Sequence, residues 1–359
     1  MSTSRTVLKL ALGTSLALGL CLWASLPAAA ASSASQVQAN KAAAQRYIEA
    51  MGTAGFAQVA KGLQAADYKL LRHEFENLKY NAMGDARLTA AMAADSAVMP
   101  DRHNTITRIL GQGDVVAATY RITGTQKGNL YGIPATGKWI DVEAAAVLKF
   151  QNGKLVSSWN MASEAAVLVQ LGARLPERQD GKLNPAPIYQ DTRPFDDELK
   201  AWLAKPVDTP EYRHMKVLLA YKSKPENRPA DYPPPAPGGR MYSVYARGGM
   251  DTLNARAKEL GLTGGQGTAV TGRQDMLGDN IAEGDMAMFK FRLNAKNSGP
   301  LYNIPASNKD VKYWEIGFAR FEGDKWQEGW YLGDELGFLL MIGNKEAVDF
   351  LVSPAPAAK

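Results

Sequence analysis

Cysteine is nearly missing from this 359-residue chain: the single one, Cys21, lies inside an apolar segment at the N-terminus. Once that segment is removed no thiol remains, which excludes a disulfide framework and thiol chemistry in any redox compartment. Histidine is scarce too, with His73, His103 and His214 only. No two of them stand at helical spacing and no cysteine set accompanies them, so no metal site is expected. The chain also lacks a glycine-rich phosphate loop behind a strand, a Gly-x-Ser-x-Gly elbow and a nucleotide fingerprint, so no cofactor is expected. The net charge is +5, with basic and acidic residues interspersed, which leaves no electrostatic footprint for nucleic acid.

Long apolar runs are confined to the first 31 residues. Arg5 and Lys9 form a basic start, Leu10 to Leu26 is apolar, and Pro27 to Ala31 offers Ala-x-Ala cleavage sites. This reads as a secretory signal peptide over 1–31, too short in its apolar part for a spanning helix. The bulky Leu20 before Cys21 argues against lipoprotein processing. The expectation is an exported protein, periplasmic or extracellular, with no membrane segment after cleavage.

What the chain does contain is one stretch written twice. Gly113 to Gly172 aligns without a gap on Gly284 to Gly343, at a constant offset of 171. Trp159 falls on Trp330, Tyr131 on Tyr302, Ile133-Pro134 on Ile304-Pro305 and Lys138 on Lys309. Solenoid repeats recur every ~20–50 residues, so a period this long is the size of a whole domain. In each copy, strand-like runs precede a short helix. Val115 to Thr123, Trp139 to Phe150 and Leu155 to Met161 are strand-like, with Asn152-Gly153 fitting a primed hairpin turn. Ala162 to Leu171 is apolar and closed by Gly172. Upstream, Ala39 to Ala50 and Phe56 to Ala66 carry apolar residues at helical spacing, as does Pro210 to Lys222. The expected layout is domain 1 over 38–173, a proline-broken linker over 174–190 and domain 2 over 191–352.

The run G-T-x-x-G-x-x-x-G-I-P-x-T-G-K from Gly124 to Lys138, followed by F-x-N-G-K-L and by Trp159 with Gln170-Leu171-Gly172, resembles the SnoaL-like polyketide cyclases of the NTF2-like superfamily. The resemblance implies an α+β class: two tandem NTF2-like cone-shaped domains, each a curved antiparallel sheet wrapped by helices around a pocket. It also implies packing of the two domains through their sheets as an intramolecular pseudo-dimer.

The same resemblance implies an aspartate acid/base four residues after the tryptophan. Trp330 leads to Asp334, whereas Trp159 leads to Ser163, which cannot shuttle protons near neutrality. Asp334 equally suits a helix N-cap before Leu336 to Ile342. His73 and His103 are the other candidate bases, with an ordinary surface histidine as the plain alternative. Trp159, Trp330, Tyr131, Tyr302 and Phe318 read as core or pocket wall. Glu143 is a carboxylate in an apolar run, open to a pocket role or to pairing on its own sheet face. Arg121 and Arg292 are paired by the repeat, as are Lys149 and Arg320; a cation at the latter position reads either as steadying an enolate or as a partner in a sheet-face salt bridge. Two functions stay open: cofactor-free acid/base chemistry on a small apolar carbonyl compound (aldol-type cyclisation, isomerisation or dehydration), or turnover-free binding of a small hydrophobic molecule.

Overall fold

The computed structural model describes residues 33–71, 95–130, 133–172, 192–232, 240–243, 257–263 and 266–342. His73 and Tyr131 lie outside these residues, as do all the signal-peptide and linker positions. The class is α+β. Two helices come first among the described residues, α1 (Ala34–Ala50) and α2 (Phe56–Leu63). The first sheet follows: β1 (Gln64–Leu71), β2 (His103–Gln112), β3 (Val115–Thr125), β4 (Trp139–Gln151) and β5 (Lys154–Ala162). Helix α3 (Glu164–Leu171) closes it, and Gly172 takes the left-handed conformation that ends such a helix.

The strands lie in the order β1-β5-β4-β3-β2. All neighbours are antiparallel except β1, which pairs parallel to β5. That pairing corrects the helix expected over Phe56 to Ala66. The helix stops at Leu63, because Gln64 onward is claimed as an edge strand by β5. The β4–β5 hairpin turns on Asn152 and Gly153, both at positive φ, as the Asn-Gly pair demands.

The second part adds β6 (Arg193–Pro194), α4 (Phe195–Leu203), α5 (Pro210–Lys222), β7 (Arg240–Ser243) and the one-turn α6 (Gln266–Ala269). Then come β8 (Val270–Glu283), β9 (Met286–Asn297), β10 (Asp310–Glu322), β11 (Lys325–Gly333) and α7 (Glu335–Ile342). Its six strands run β6-β8-β9-β10-β11-β7, with β7 parallel to β11 in the place that β1 takes beside β5. The likeness extends to detail. The bridge Leu130–Ile133 has its counterpart in Leu301–Ile304. Buried Gln126 and buried Asn297 stand at equivalent positions, each tying down the loop that follows its strand.

Strand alternation gives every sheet two faces. On β3 and β4, Val116, Ala118, Tyr120, Ile122 and Ile140, Val142, Ala144, Ala146 face α1, α2 and α3 in one apolar cluster. Their equivalents in the second sheet begin Ala287, Phe289, Phe291 and pack against α4 and α5, with Phe195, Met215 and Leu218. The opposite faces of the two sheets, helix-free among the described residues, share a third cluster, in which Leu110, Val147, Trp159 and Met161 meet Ile281, Met288, Trp314 and Phe318.

Candidate functional site

The residues singled out by sequence do not gather around Asp334. Phe318 is buried on the helix-free face, and half-buried Trp330 packs against the same cluster with the Arg108 guanidinium 3.9 Å over its ring. Trp159 joins them there, edge-on to Trp314 at 6.5 Å. Tyr302 belongs instead to the cluster that runs through α3 and α7. A pocket wall made of these aromatics is therefore replaced by a seam between sheets, because strand parity turns Trp159, Trp330 and Phe318 away from the helices. Glu143 shares that parity with Ala145 and Val147 and is paired across the ladder with Arg121, so it too lies off the helix-covered face. Arg121 forms a salt bridge with Asp141, while Lys149 pairs with Asp279 and Arg320 with Glu328, the plainer of the two readings for that position.

Asp334 is buried and caps α7: its Oδ1 accepts the Gly337 N–H at 2.9 Å. Ser163 holds the same place before α3, but its buried hydroxyl makes no cap bond and has no partner. His103 is exposed at the first position of β2.

Charge is concentrated elsewhere, on the helix-covered face of the second sheet. Thr209 caps α5 by accepting the Tyr212 N–H, and Pro210 fits its first turn. The helix buries Met215, Leu218 and Leu219 against the sheet, which carries its last residue, Lys222, inward. Lys222 Nζ lies 2.9 Å from Asp275 Oδ2 on β8, with both side chains about nine-tenths buried, at 11% and 7% exposure. Arg273 grips the same carboxylate at 2.9 and 3.0 Å, and its Nη2 is 3.6 Å from Glu315 Oε2 on β10.

Aromatic rings surround the ammonium: Phe291 lies 4.0 Å away, Phe289 and Tyr221 5.9 Å, and Tyr331 6.0 Å. Tyr331 on β11 faces Gly317 across the ladder, two pairs along from Glu315 and Gly333, so Glu315 and Tyr331 are diagonal neighbours on one face. A Cβ at Gly317 would sit 2.8 Å from Tyr331 Cε1 and 2.9 Å from the Phe289 ring. Only glycine lets both rings lie against the strand. The Tyr331 hydroxyl is buried with no hydrogen-bond partner.

The electrostatics follow from this geometry. Burial pushes the Lys222 ammonium below the usual lysine range; Asp275 opposes that shift and Arg273 reinforces it. For Asp275 burial acts upward, but Lys222 and Arg273 outweigh it and hold the carboxyl below its ordinary value. Burial raises Tyr331 well above a free phenol, helped by Tyr221 and Glu315. Two cations and two carboxylates thus balance beside a tyrosine that keeps its proton.

The positions of the first sheet that correspond to Glu315 and Tyr331 carry no charge. Ala144 stands where the second has Glu315, and Asn160 where it has Tyr331. Its polar groups form a chain: Tyr47 Oη to Tyr68 Oη at 3.0 Å, Tyr68 Oη to Ser158 Oγ at 2.5 Å, and Asn160 Nδ2 donating to Ser158 Oγ at 3.2 Å.

Residues 41–171 match the family model of the SnoaL-like polyketide cyclases. This segment is a SnoaL-like domain. Among solved structures, a protein assigned as a SnoaL-like polyketide cyclase from Jannaschia sp. CCS1 is similar at 18% identity, covering 39% of this chain and 96% of its own, with a TM-score of 0.34. TsrD from Streptomyces laurentii is similar at 20% identity, covering 40% of this chain and 98% of its own, with a TM-score of 0.33. A protein assigned as a polyketide cyclase from Acidithiobacillus ferrooxidans shares 22% identity over 37% of this chain and 94% of its own, at 0.32. No curated protein matches the sequence significantly. Among the described residues, no group of three His, Cys, Asp or Glu is placed to hold a metal ion, and no helix is long and apolar enough to cross a membrane.

Proposed function

We propose that the protein is an exported tandem of two SnoaL-like domains, 38–173 and 191–352, paired through their sheets as a pseudo-dimer. In this reading the second domain catalyses cofactor-free acid/base chemistry on a small, neutral, apolar carbonyl compound. The observation that carries it is the buried, unpartnered Tyr331 hydroxyl beside Glu315 on the helix-covered face. Glu315 takes a proton from the carbon next to the carbonyl. Tyr331, which holds its own proton, donates to the carbonyl oxygen as negative charge develops there. The same enolate serves aldol-type cyclisation, isomerisation or dehydration, so the site defines the first step common to all three. A charged substrate would upset a cluster whose two cations and two anions already balance in a poorly solvated place, which favours a neutral one.

The test is α-hydrogen exchange of 2-tetralone in deuterated buffer, followed by proton NMR. The protein should accelerate exchange, and Glu315→Gln should remove on the order of 10²–10⁴ of that acceleration. The neutral Tyr47–Tyr68–Ser158 chain of the first domain favours the second reading, binding of a small hydrophobic molecule without turnover, for that half. No exchange, together with a ligand that co-purifies unchanged in native mass spectrometry, would extend that reading to the whole protein.

A further inference from the structure

Lys222 belongs to the second-domain cluster, yet the enolate chemistry above gives it no part. A buried salt bridge is no general source of stability, since desolvating both ions offsets their attraction. Its surroundings are those of a reactive amine. It is nearly buried, walled by Phe291 at 4.0 Å and by three further rings, and stands beside a second cation, Arg273, that shares the Asp275 carboxylate with it. Desolvation and a neighbouring cation are the two means by which a lysine is made nucleophilic near neutrality. From this arrangement we propose that Lys222 captures the carbonyl substrate covalently, as an iminium ion on Nζ. The inference rests on the assignment of the second-domain site above and adds a covalent step to it.

The step balances within the cluster. The ammonium passes one proton to Asp275, 2.9 Å away. The freed amine attacks the carbonyl carbon, the C–O π pair moves to oxygen, and a proton moves from nitrogen to that oxygen to give a carbinolamine. Asp275 then returns its proton to the carbinolamine hydroxyl, which leaves as water while the nitrogen lone pair forms the C=N bond. One ammonium and one carbonyl have become one iminium and one water. The positive charge beside Asp275 is unchanged, so the two-cation, two-anion balance survives. Asp275, held low by Lys222 and Arg273, keeps the borrowed proton only transiently and returns it readily to the carbinolamine hydroxyl. An iminium also acidifies the adjacent C–H more strongly than a carbonyl does, which gives Glu315 an easier proton to remove.

The experiment is reductive trapping on the unmodified protein. It is incubated with 2-tetralone and sodium cyanoborohydride at pH 7, and then digested and mapped by mass spectrometry. The expected result is a hydride-dependent adduct, the probe joined with loss of its oxygen, on the peptide containing Lys222 and ahead of exposed lysines such as Lys258. Labelling of exposed lysines alone, with Lys222 unmodified, would overturn the proposal, whether or not α-exchange proceeds. Adduct at Lys222 with exchange indifferent to Glu315→Gln would uphold the imine and remove Glu315 as the base. Lys222→Arg keeps the charge and cannot form an imine; it should lose the site-specific adduct. A near-UV circular dichroism spectrum matching that of the unmodified protein checks that its fold is intact.

Discussion

At the level of single residues, the carboxylates illustrate how position outweighs type. Asp334 had the better sequence argument, yet its Oδ1 is committed to the Gly337 N–H. Asp334→Asn should change stability by only a few tenths of a kcal/mol, since Asn caps nearly as well, whereas Asp334→Ala should cost about 1 kcal/mol. Urea unfolding of the two variants checks this. Equal loss of α-exchange in both, with stability unchanged in Asn, would return Asp334 to the catalytic role. Gly317 is the sharper probe of the proposed site. Adding one methyl there forces Tyr331 or Phe289 off the strand, so Gly317→Ala should destabilise the fold by about 1–3 kcal/mol, as overpacking does. It should also lower exchange activity by displacing the donor. Activity that survives an intact Gly317→Ala fold unchanged would detach Tyr331 from the chemistry.

At the level of elements, the sequence showed most of the strands and little of the site. Residue type and alternation were enough for β3 to β5, because those runs are β-branched or aromatic and end in turn residues. The helix α5 was visible from Pro210 to its end. The strand β1 was not, since its identity comes from pairing with β5, ninety residues on in the chain. The charged cluster was hidden for a related reason: Lys222, Arg273, Asp275, Glu315 and Tyr331 come from four separate elements. A signal did exist in the repeat, where Glu315 replaces Ala144 and Tyr331 replaces Asn160 at positions whose parity faces the helices. Reading the two copies for their differences, rather than their identities, would have found it.

The loop between β9 and β10 offers an element-scale test. Asn297 is buried; its Nδ2 donates to the Ala269 and Gly299 carbonyls at 2.9 Å, and its Oδ1 accepts the Ser307 N–H at 2.6 Å. A Cβ on Gly299 would come within 2.3 Å of the Thr268 carbonyl oxygen, so the loop is clamped to the turn before β8. Asn297→Ala leaves buried groups unpaired and should cost about 1–3 kcal/mol in urea unfolding. Gln126→Ala should cost a similar amount in the first domain; a loss in one copy only would mean the two loops are held differently.

For the whole molecule, the seam between the sheets decides how stability responds to pH. Its centre is Lys290, fully buried, with Nζ 2.5 Å from Asp279 and 5.0 and 5.2 Å from the rings of Trp159 and Trp314. Lys149 reaches over from the first sheet to the same carboxylate at 2.6 Å. Burial pulls Lys290 down from 10.5 to about 8, against the pull of Asp279 in the other direction. Below pH 8 both folded and unfolded chains hold this proton, and its contribution is flat. Between about 8 and 10.5 the unfolded chain binds a proton that the folded one has released, so raising the pH favours folding. The gain is of order 1–3 kcal/mol, from the size of the shift. Lys222, also lowered by burial, acts in the same sense. Above pH 10 the sign reverses: burial holds Tyr120 up to about 12, so the unfolded chain loses its phenolic proton first. On the acid side Asp279 sits near 2 in spite of burial, held there by Lys290 and Lys149, and stability should fall as pH drops from about 3.8 toward that value. Unfolding free energy should therefore peak near pH 9–10, an alkaline optimum for a chain of modest net charge. Lys290→Met should flatten the rise between pH 8 and 10 while leaving the acid limb in place, because Lys149 still pairs with Asp279. A midpoint that declines steadily from pH 7 to 10 in the unmodified protein would show that Lys290 stays charged at the seam.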